Sequence, residues 1–134
     1  MTHRGEMVMG FDQAKTVHHF RLFTDGGAIE VGVIDRADAK DLDAIRSHLP
    51  HIAKMFGEGD FDAPMLVHNS SDVPGTKVMT ARKDAVRYRY EETPTGGRVS
   101  ITTTDAEALA AVHAFLRYQI AEHKTDDSTV PQSR

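Results

Sequence analysis

Cysteine is absent from the 134-residue chain, and its absence excludes several kinds of site. Without thiols the chain forms no disulfide bond, offers no thiolate nucleophile, and binds neither an iron–sulfur cluster nor a cysteine-held zinc ion. A metal ion would have to be bound by imidazole, carboxylate or thioether groups. The sequence supplies such groups, since it contains 8 histidines and 6 methionines.

Long apolar runs and an excess of positive charge are also missing. No stretch is long and apolar enough to span a bilayer, and residues 1–6 lack the apolar core of a secretory signal, so we expect a cytoplasmic protein without a membrane segment. The net charge of −4 argues against a nucleic-acid-binding protein. With 40% apolar and 27% charged residues, the composition is typical of one folded domain.

Known catalytic motifs are missing as well. The sequence has no G-x-S-x-G elbow, phosphate-binding loop, H-E-x-x-H pair or dinucleotide fingerprint. This favours a small non-enzymatic binding domain. The alternative is a small enzyme that uses a histidine as general base in a pocket under the loop 57–84. A third interpretation is a structural or dimerisation module.

Two similar strand–strand–helix units follow each other in the central part of the chain. The first covers 16–56 and the second 85–123, and together they form one domain over 16–123. In each unit, two segments of alternating hydrophobicity flank a turn that carries a glycine pair, Gly26-Gly27 or Gly96-Gly97. This similarity indicates an internal ββα duplication, or convergence on the same unit.

Each hairpin is followed by a helical pattern, over 38–56 and 105–123. Thr104 and Glu107 predict a capping box at the start of the second helix. Pro50 lies inside the first pattern and predicts a kink or a restart near Ser47. Aligned without a gap, the two helices pair three apolar positions: Leu42 with Leu109, Ile45 with Val112, and Leu49 with Leu116.

The period-2 pattern gives the strands one apolar and one polar face. We therefore predict an α+β fold in which two ββα repeats form a four-stranded, mainly antiparallel sheet, with two helices packed on one face. The apolar face comprises Phe20, Leu22, Ile29, Val31, Val33, Val86, Tyr88, Tyr90, Val99 and Ile101. The polar outer face carries a basic strip, which either binds an anion or carboxylate partner or pairs with neighbouring glutamates: Arg21, Arg87, Arg89 and Arg98. A homodimer that covers the outer face is a further expectation.

The remaining segments have different characters. In 1–15, Met7, Met9 and Phe11 alternate and predict a short edge strand or a segment lying over the core. The loop 57–84 is long but too apolar for disorder, so we expect it to pack down. The polar segment 124–134 is expected to be a disordered tail.

The histidines give the sharpest functional hypothesis. His18 shares a strand face with Phe20 and Leu22, and His113 lies on the apolar stripe of the second helix. Imidazole suits zinc, copper or nickel, and thioether selects copper(I), so convergence of these side chains would make a metal site. The candidate ligands are His18, His68 and His113, followed by His48, His51, Met65 and Met79. The alternative is that each histidine is a core or boundary residue bonded to a backbone carbonyl. His19 faces the outer side and is a weaker candidate.

The sequence also resembles a group of small bacterial proteins. The matching stretches are VMGFD (8–12), TVHHFRL (16–22), HLPHIA (48–53), GDF with PM and His68 (59–68), and AVHAFL (111–116). The resemblance covers nearly the whole ordered chain and implies a bacterial protein, but it implies no established activity. Some members of the group carry a carbamoyltransferase label. This chain is too short for two substrate-binding domains and lacks the Ser-Thr-Arg-Thr phosphate motif, so its sequence does not support that activity.

Overall fold

The computed structural model describes residues 16–35, 37–59, 74–123, 125 and 127–133. The predicted edge strand in 1–15 and most of the central loop, including His68 and Met65, lie outside the described residues. The fold class is α+β, as the sequence predicts. The elements are β1 (Thr16–Phe23), β2 (Gly26–Val33), α1 (Ala39–Gly57), α2 (Thr76–Ala81), a 3-10 turn (Lys83–Ala85), β3 (Val86–Thr93), β4 (Gly96–Thr103) and α3 (Ala106–His123).

The four strands form one antiparallel sheet in the order β1-β2-β4-β3. The registers of the two hairpins are identical: Thr16 pairs with Val33, and 70 positions later (16 to 86, 33 to 103) Val86 pairs with Thr103. The hairpins meet at β2 and β4, where Ile29 pairs with Val99, the residue equivalent to it in the second repeat. The sheet is therefore related to itself by a local two-fold axis through this pair.

Each helix packs mainly over the hairpin of the other repeat, α1 over β3 and β4, and α3 over β1 and β2. The contacts are again equivalent. Leu49 of α1 lies so close to Gly97 that a Cβ there would be 2.9 Å from its Cδ1, and a Cβ on Gly27 would collide with Cδ1 of Leu116 in α3. Glycine at both positions allows the helices to approach the sheet.

The glycine pairs are predicted to form the hairpin turns, but they lie at the start of the strands that follow the turns. Both hairpin turns contain only two residues, 24–25 and 94–95, and the glycines are the first residues of β2 and β4. Gly26 and Gly96 face backbone, because a Cβ on either would collide with a carbonyl oxygen of the neighbouring strand.

The core lies between the sheet and the helices. Of the ten predicted inward residues, eight are buried, and Tyr88 and Tyr90 are half-buried and pack against the core. The described part of the loop packs down as expected, since Met79 of α2 is fully buried. The Phe56 ring contacts Tyr88 edge-on at 5.6 Å and Phe115 at 6.2 Å between ring centroids.

The predicted restart of the first helix and the predicted capping box at Thr104 are wrong, whereas a kink at Pro50 stays a prediction. Helix α1 runs through Pro50 without a restart near Ser47, because its buried stripe keeps it on the sheet despite one lost hydrogen bond. The second helix begins one residue later than a capping box at Thr104 would require. Asp105 is the cap, and its Oδ2 accepts a 2.8 Å hydrogen bond from the Ala108 amide. Glu107 instead accepts a 2.7 Å bond from Arg82.

The C-terminal segment, for which the composition predicts disorder, makes two contacts with the sheet. Among its described residues, Gln132 forms a parallel bridge to Phe23, and the Asp127 carboxylate accepts a hydrogen bond from the amide of Phe20. Polar groups of this segment therefore bind the edge of β1 that faces away from β2. The described helices include none that is long and apolar enough to cross a membrane.

Candidate functional site

His113, a predicted metal ligand, is engaged by the first hairpin. Its Nε2–H donates to the carbonyl oxygens of Phe23 at 2.7 Å and Gly26 at 3.1 Å, and the residue is only 9% exposed. These two carbonyls frame the β1–β2 turn. The bond requires a proton on Nε2, so Nδ1 is the ring nitrogen with a lone pair in the neutral side chain.

Arg46 makes the same contact in the other half of the molecule. Its Nε donates to Gly96 O at 3.1 Å and its Nη2 to Thr93 O at 2.7 Å. Thr93 and Gly96 are equivalent to Phe23 and Gly26, and Arg46 aligns with His113 in the ungapped helix alignment (46 to 113, as 42 to 109). Each helix thus clamps the turn of the opposite hairpin, which gives His113 a structural role without any metal.

The other predicted ligands are distributed over the fold. Met79 of α2 lies in the hydrophobic core, and His18 is half-buried on the inward face of β1. On α1, His48 is half-buried and His51 is exposed. In the described part of the chain, no three histidine, aspartate or glutamate side chains are grouped so that they would hold a metal ion. With His68 and Met65 outside that part, the metal site stays a prediction.

The outer face of the sheet carries a chain of ion pairs that crosses the strands. Glu30 of β2 lies 3.2 Å from Nε of Arg21 and 3.5 Å from Nη1 of Arg98, and Arg98 continues to Glu91 at 3.7 Å. The Ser100 hydroxyl donates to Glu91 at 2.7 Å. This hydrogen bond, with the charges of Arg98 and Arg89, holds the pKa of Glu91 below its usual value against a smaller opposing effect of burial. Two of the four predicted arginines are therefore paired.

The other two arginines of the outer face form no close ion pair with a described residue. Arg87 and Arg89 are exposed on the outer side of β3, and neither forms a hydrogen bond or ion pair with any described residue. Their strand partners on β4 are Thr102 and Ser100. An open groove of about 700 Å³ runs here, lined by Asp25, Arg87, Tyr88, Arg89, Glu91, Ser100 and Thr102. The two guanidinium groups and the Thr102 hydroxyl present donors to a carboxylate or phosphate, whereas the Ser100 hydroxyl already donates to Glu91.

His19 borders a second, smaller hollow of about 280 Å³ near the outer face of β1 and β2. Its Nδ1 lies 3.0 Å from Oδ1 of Asp127, a carboxylate whose side chain is only 6% exposed. The alternation of β1 places His19 outward, but nothing in the sequence indicates its partner, since Asp127 is 108 residues away in a polar segment.

Gln119 is a buried polar residue that the sequence pattern does not single out. It is 0% exposed, and neither Oε1 nor Nε2 of its amide has a hydrogen-bond partner among the described residues. In the ungapped helix alignment it is equivalent to Ile52 (52 to 119), which is buried in α1. The second repeat therefore carries an amide where the first carries a hydrocarbon. The apolar periodicity of α3 continues on both sides of Gln119. The sequence pattern therefore does not indicate that a polar side chain is buried at this position.

Comparisons with protein-family models, with curated proteins and with solved structures find no match to this chain.

Proposed function

We propose that this protein is a small non-enzymatic binding domain that binds an anionic ligand, through a carboxylate or phosphate group, in the groove between β3 and β4. The observation that carries the proposal is that Arg87 and Arg89 are exposed and that neither forms a hydrogen bond or a close ion pair with a described residue. Arg21 and Arg98 on the same face lie within 4 Å of Glu30 and Glu91, whereas Arg89 acts on Glu91 only through its charge at longer range.

The arrangement suits an anion for geometric reasons. Positions 87 and 89 lie two residues apart on one strand, so their side chains leave the same face about 7 Å apart at the backbone. The planar guanidinium group binds carboxylate and phosphate oxygens through two parallel hydrogen bonds. Thr102 and Ser100, directly across the strand pair, place hydroxyl groups at the floor of the groove.

The charge of the whole chain limits the class of ligand. With a net charge of −4, the protein does not attract polyanions in general. Binding would depend on the local pair of arginines and on the shape of the groove. A small molecule with one or two acidic groups fits these requirements better than a nucleic acid does.

Titration of isotope-labelled protein with citrate and with inorganic phosphate, at constant ionic strength, tests the proposal. We expect amide shifts that saturate and that concentrate on β3 and β4 around Arg87, Arg89, Ser100 and Thr102. The double variant Arg87→Gln/Arg89→Gln should weaken binding at least about tenfold, the effect of losing charge-assisted hydrogen bonds.

A matched control is available on the other side of the molecule. Lys40 and Lys54 are exposed on α1, which packs on the opposite face of the sheet. Lys40→Gln/Lys54→Gln removes the same charge and should leave binding unchanged. Equal weakening in both double variants, or shifts scattered over the surface, would mean general electrostatic attraction and would contradict a site. A dimer in solution whose interface buries the groove would favour the dimerisation module instead.

A further inference from the structure

The C-terminal segment returns along β1 and touches it at two points. After α3, the Thr125 amide bonds Ile120 O at 3.3 Å, and Thr129 O accepts from Arg117 Nε at 3.0 Å. At the far end, Gln132 straddles Phe23: its amide donates to Leu22 O, and its carbonyl accepts from Thr24 N, both at 2.9 Å. This is the hydrogen-bond pattern of a parallel strand added to a sheet edge.

The first of the two contact points is a carboxylate site. Asp127 accepts hydrogen bonds from Phe20 N at 2.9 Å, from His19 Nδ1 at 3.0 Å and from Arg21 Nη1 at 3.5 Å. Burial alone would raise the pKa of Asp127, but hydrogen bonds from Thr125, Phe20 and His19 outweigh it, and the pKa is lowered. The edge of β1 therefore holds a negatively charged group with a backbone amide, an imidazole and a guanidinium.

The segment behaves as a ligand of the domain rather than as part of its core. None of its described residues belongs to the hydrophobic core, and its one large apolar side chain, Val130, is 62% exposed. Its attachments to β1 are backbone hydrogen bonds and one carboxylate. Any extended polypeptide with an acidic side chain in the same position offers the same groups.

We propose that the edge of β1 between Phe20 and Thr24 is a docking site for an extended acidic segment of another polypeptide, and that the chain's own C-terminal segment occupies this site as an intramolecular competitor. The partner is an added strand whose carboxylate replaces that of Asp127 and whose backbone replaces that of Gln132. The charge complementarity with His19 and Arg21 selects an acidic segment. The site is separate from the groove between β3 and β4, so the two proposals stand or fall independently.

The experiment has to take into account that the chain's own C-terminal segment competes with any added peptide for the edge of β1. A short tether gives the tail an effective concentration on the order of millimolar, so a free peptide binds the intact protein weakly. The probe is a peptide with the sequence of residues 125–133, TDDSTVPQS, titrated into isotope-labelled full-length chain. The substitution Asp127→Asn weakens the binding of the chain's own C-terminal segment to β1. We therefore expect the peptide to bind this variant about tenfold tighter than the unaltered protein. The amide shifts should lie at Phe20, Leu22 and Thr24.

Two further variants separate docking from general effects. Arg117→Gln releases the tail at Thr129 without changing β1, and it should also tighten peptide binding; it serves too if Asp127→Asn does not fold. Asp43→Asn, an exposed residue of α1, makes the same charge change as Asp127→Asn and should leave peptide binding as in the unaltered protein.

The specificity of the site is tested with a peptide in which the second aspartate is replaced by asparagine. It should bind at least about tenfold more weakly, because it lacks the charge-assisted bonds. Equal binding of both peptides, or shifts away from β1, would overturn the proposal. So would a dimer of the unaltered protein that dissociates on Asp127→Asn, since the tail would then dock on a second copy.

Discussion

Arg46 and His113 are equivalent residues that hold equivalent carbonyls with different chemistry. Arg46 bonds Thr93 O and Gly96 O, and His113 bonds Phe23 O and Gly26 O, each at the turn of the hairpin in the other repeat. The two residues thus make the same kind of contact with different side chains. His113, a polar residue on the apolar stripe of α3, therefore has a structural counterpart in Arg46 of α1.

We expect His113→Ala and Arg46→Ala each to lower the free energy of unfolding by about 1–3 kcal/mol, because each leaves two turn carbonyls without their donor. The turns lie at opposite ends of the sheet, six residues apart along β2 and thus about 20 Å, so the losses in the double variant should add. Urea denaturation measures them. His51→Ala, at an exposed position of α1, is the control and should change stability by less than about 0.5 kcal/mol.

The variant His113→Ala also distinguishes a structural role of His113 from a role as a metal ligand. The loss caused by His113→Ala should be the same with a chelator and with added zinc, copper or nickel. A ligand that binds only the native state raises its stability, so a loss that appears only with metal would identify His113 as a ligand.

Gly97→Ala should destabilise the protein by about 1–3 kcal/mol through overpacking. Its Cβ would lie 2.9 Å from Leu49 Cδ1 and 2.8 Å from Tyr90 Cε1, closer than carbon atoms pack. Gly57→Ala is the matched control, since a Cβ there meets nothing within 4 Å. At that helical position we expect stabilisation by up to about 1 kcal/mol. Thermal unfolding of both variants measures these effects. If Gly97→Ala left the stability unchanged, the contact between Leu49 of α1 and β4 would not be tight enough to require glycine.

Gln119→Leu should raise the free energy of unfolding by about 1–2 kcal/mol, because it removes a buried amide that has no partner among the described residues. The reciprocal change, Ile52→Gln, brings the same amide into the first repeat and should lower stability by at least as much. If Gln119→Leu instead destabilises the protein, the amide has a partner in solution, such as a bound water.

The Asp127 contacts should make stability depend on pH in the acidic range only. The folded pKa of Asp127 lies below the unfolded value of about 3.9, so its contribution is complete above that pH and is lost as the pH falls through the folded pKa. Near neutral pH we expect Asp127→Asn to cost about 1 kcal/mol, and at pH 3 clearly less. Urea denaturation from pH 7 to pH 3 measures the difference. A difference as large at pH 3 as at pH 7 would mean that the charge of the Asp127 carboxylate does not contribute to stability.

Much of the fold follows from the period of the sequence, because alternation in the strands and the stripes of the helices are local patterns. The inward positions from Phe20 to Ile101 could be predicted in this way. The cap at Asp105 could not be distinguished from Thr104, since both are good capping residues one position apart. The glycine pairs looked like turns because the approach of Leu49 and Leu116 is a tertiary contact that leaves no local signal.

The candidate sites were harder to predict for a related reason. The arginines of the outer face are visible in the sequence, but which of the four are neutralised depends on the strand order, which brings Glu30 of β2 beside Arg98 of β4. The Asp127 site depends on a contact between the two ends of the described chain. The histidine hypothesis treated inward position as a sign of function, whereas the carbonyls of a tight turn provide a sufficient reason for His113.

The exchange of helices between the two hairpins has a consequence for how the chain acquires its structure. The helix that covers β1 and β2 is the last element of the domain, so on a ribosome the first hairpin is made well before its cover. Its apolar face stays exposed until α3 emerges, unless α1 covers it temporarily. We therefore expect neither repeat to fold as an independent unit, and folding to wait for contacts between distant parts of the chain, which makes it slow for a protein of this size.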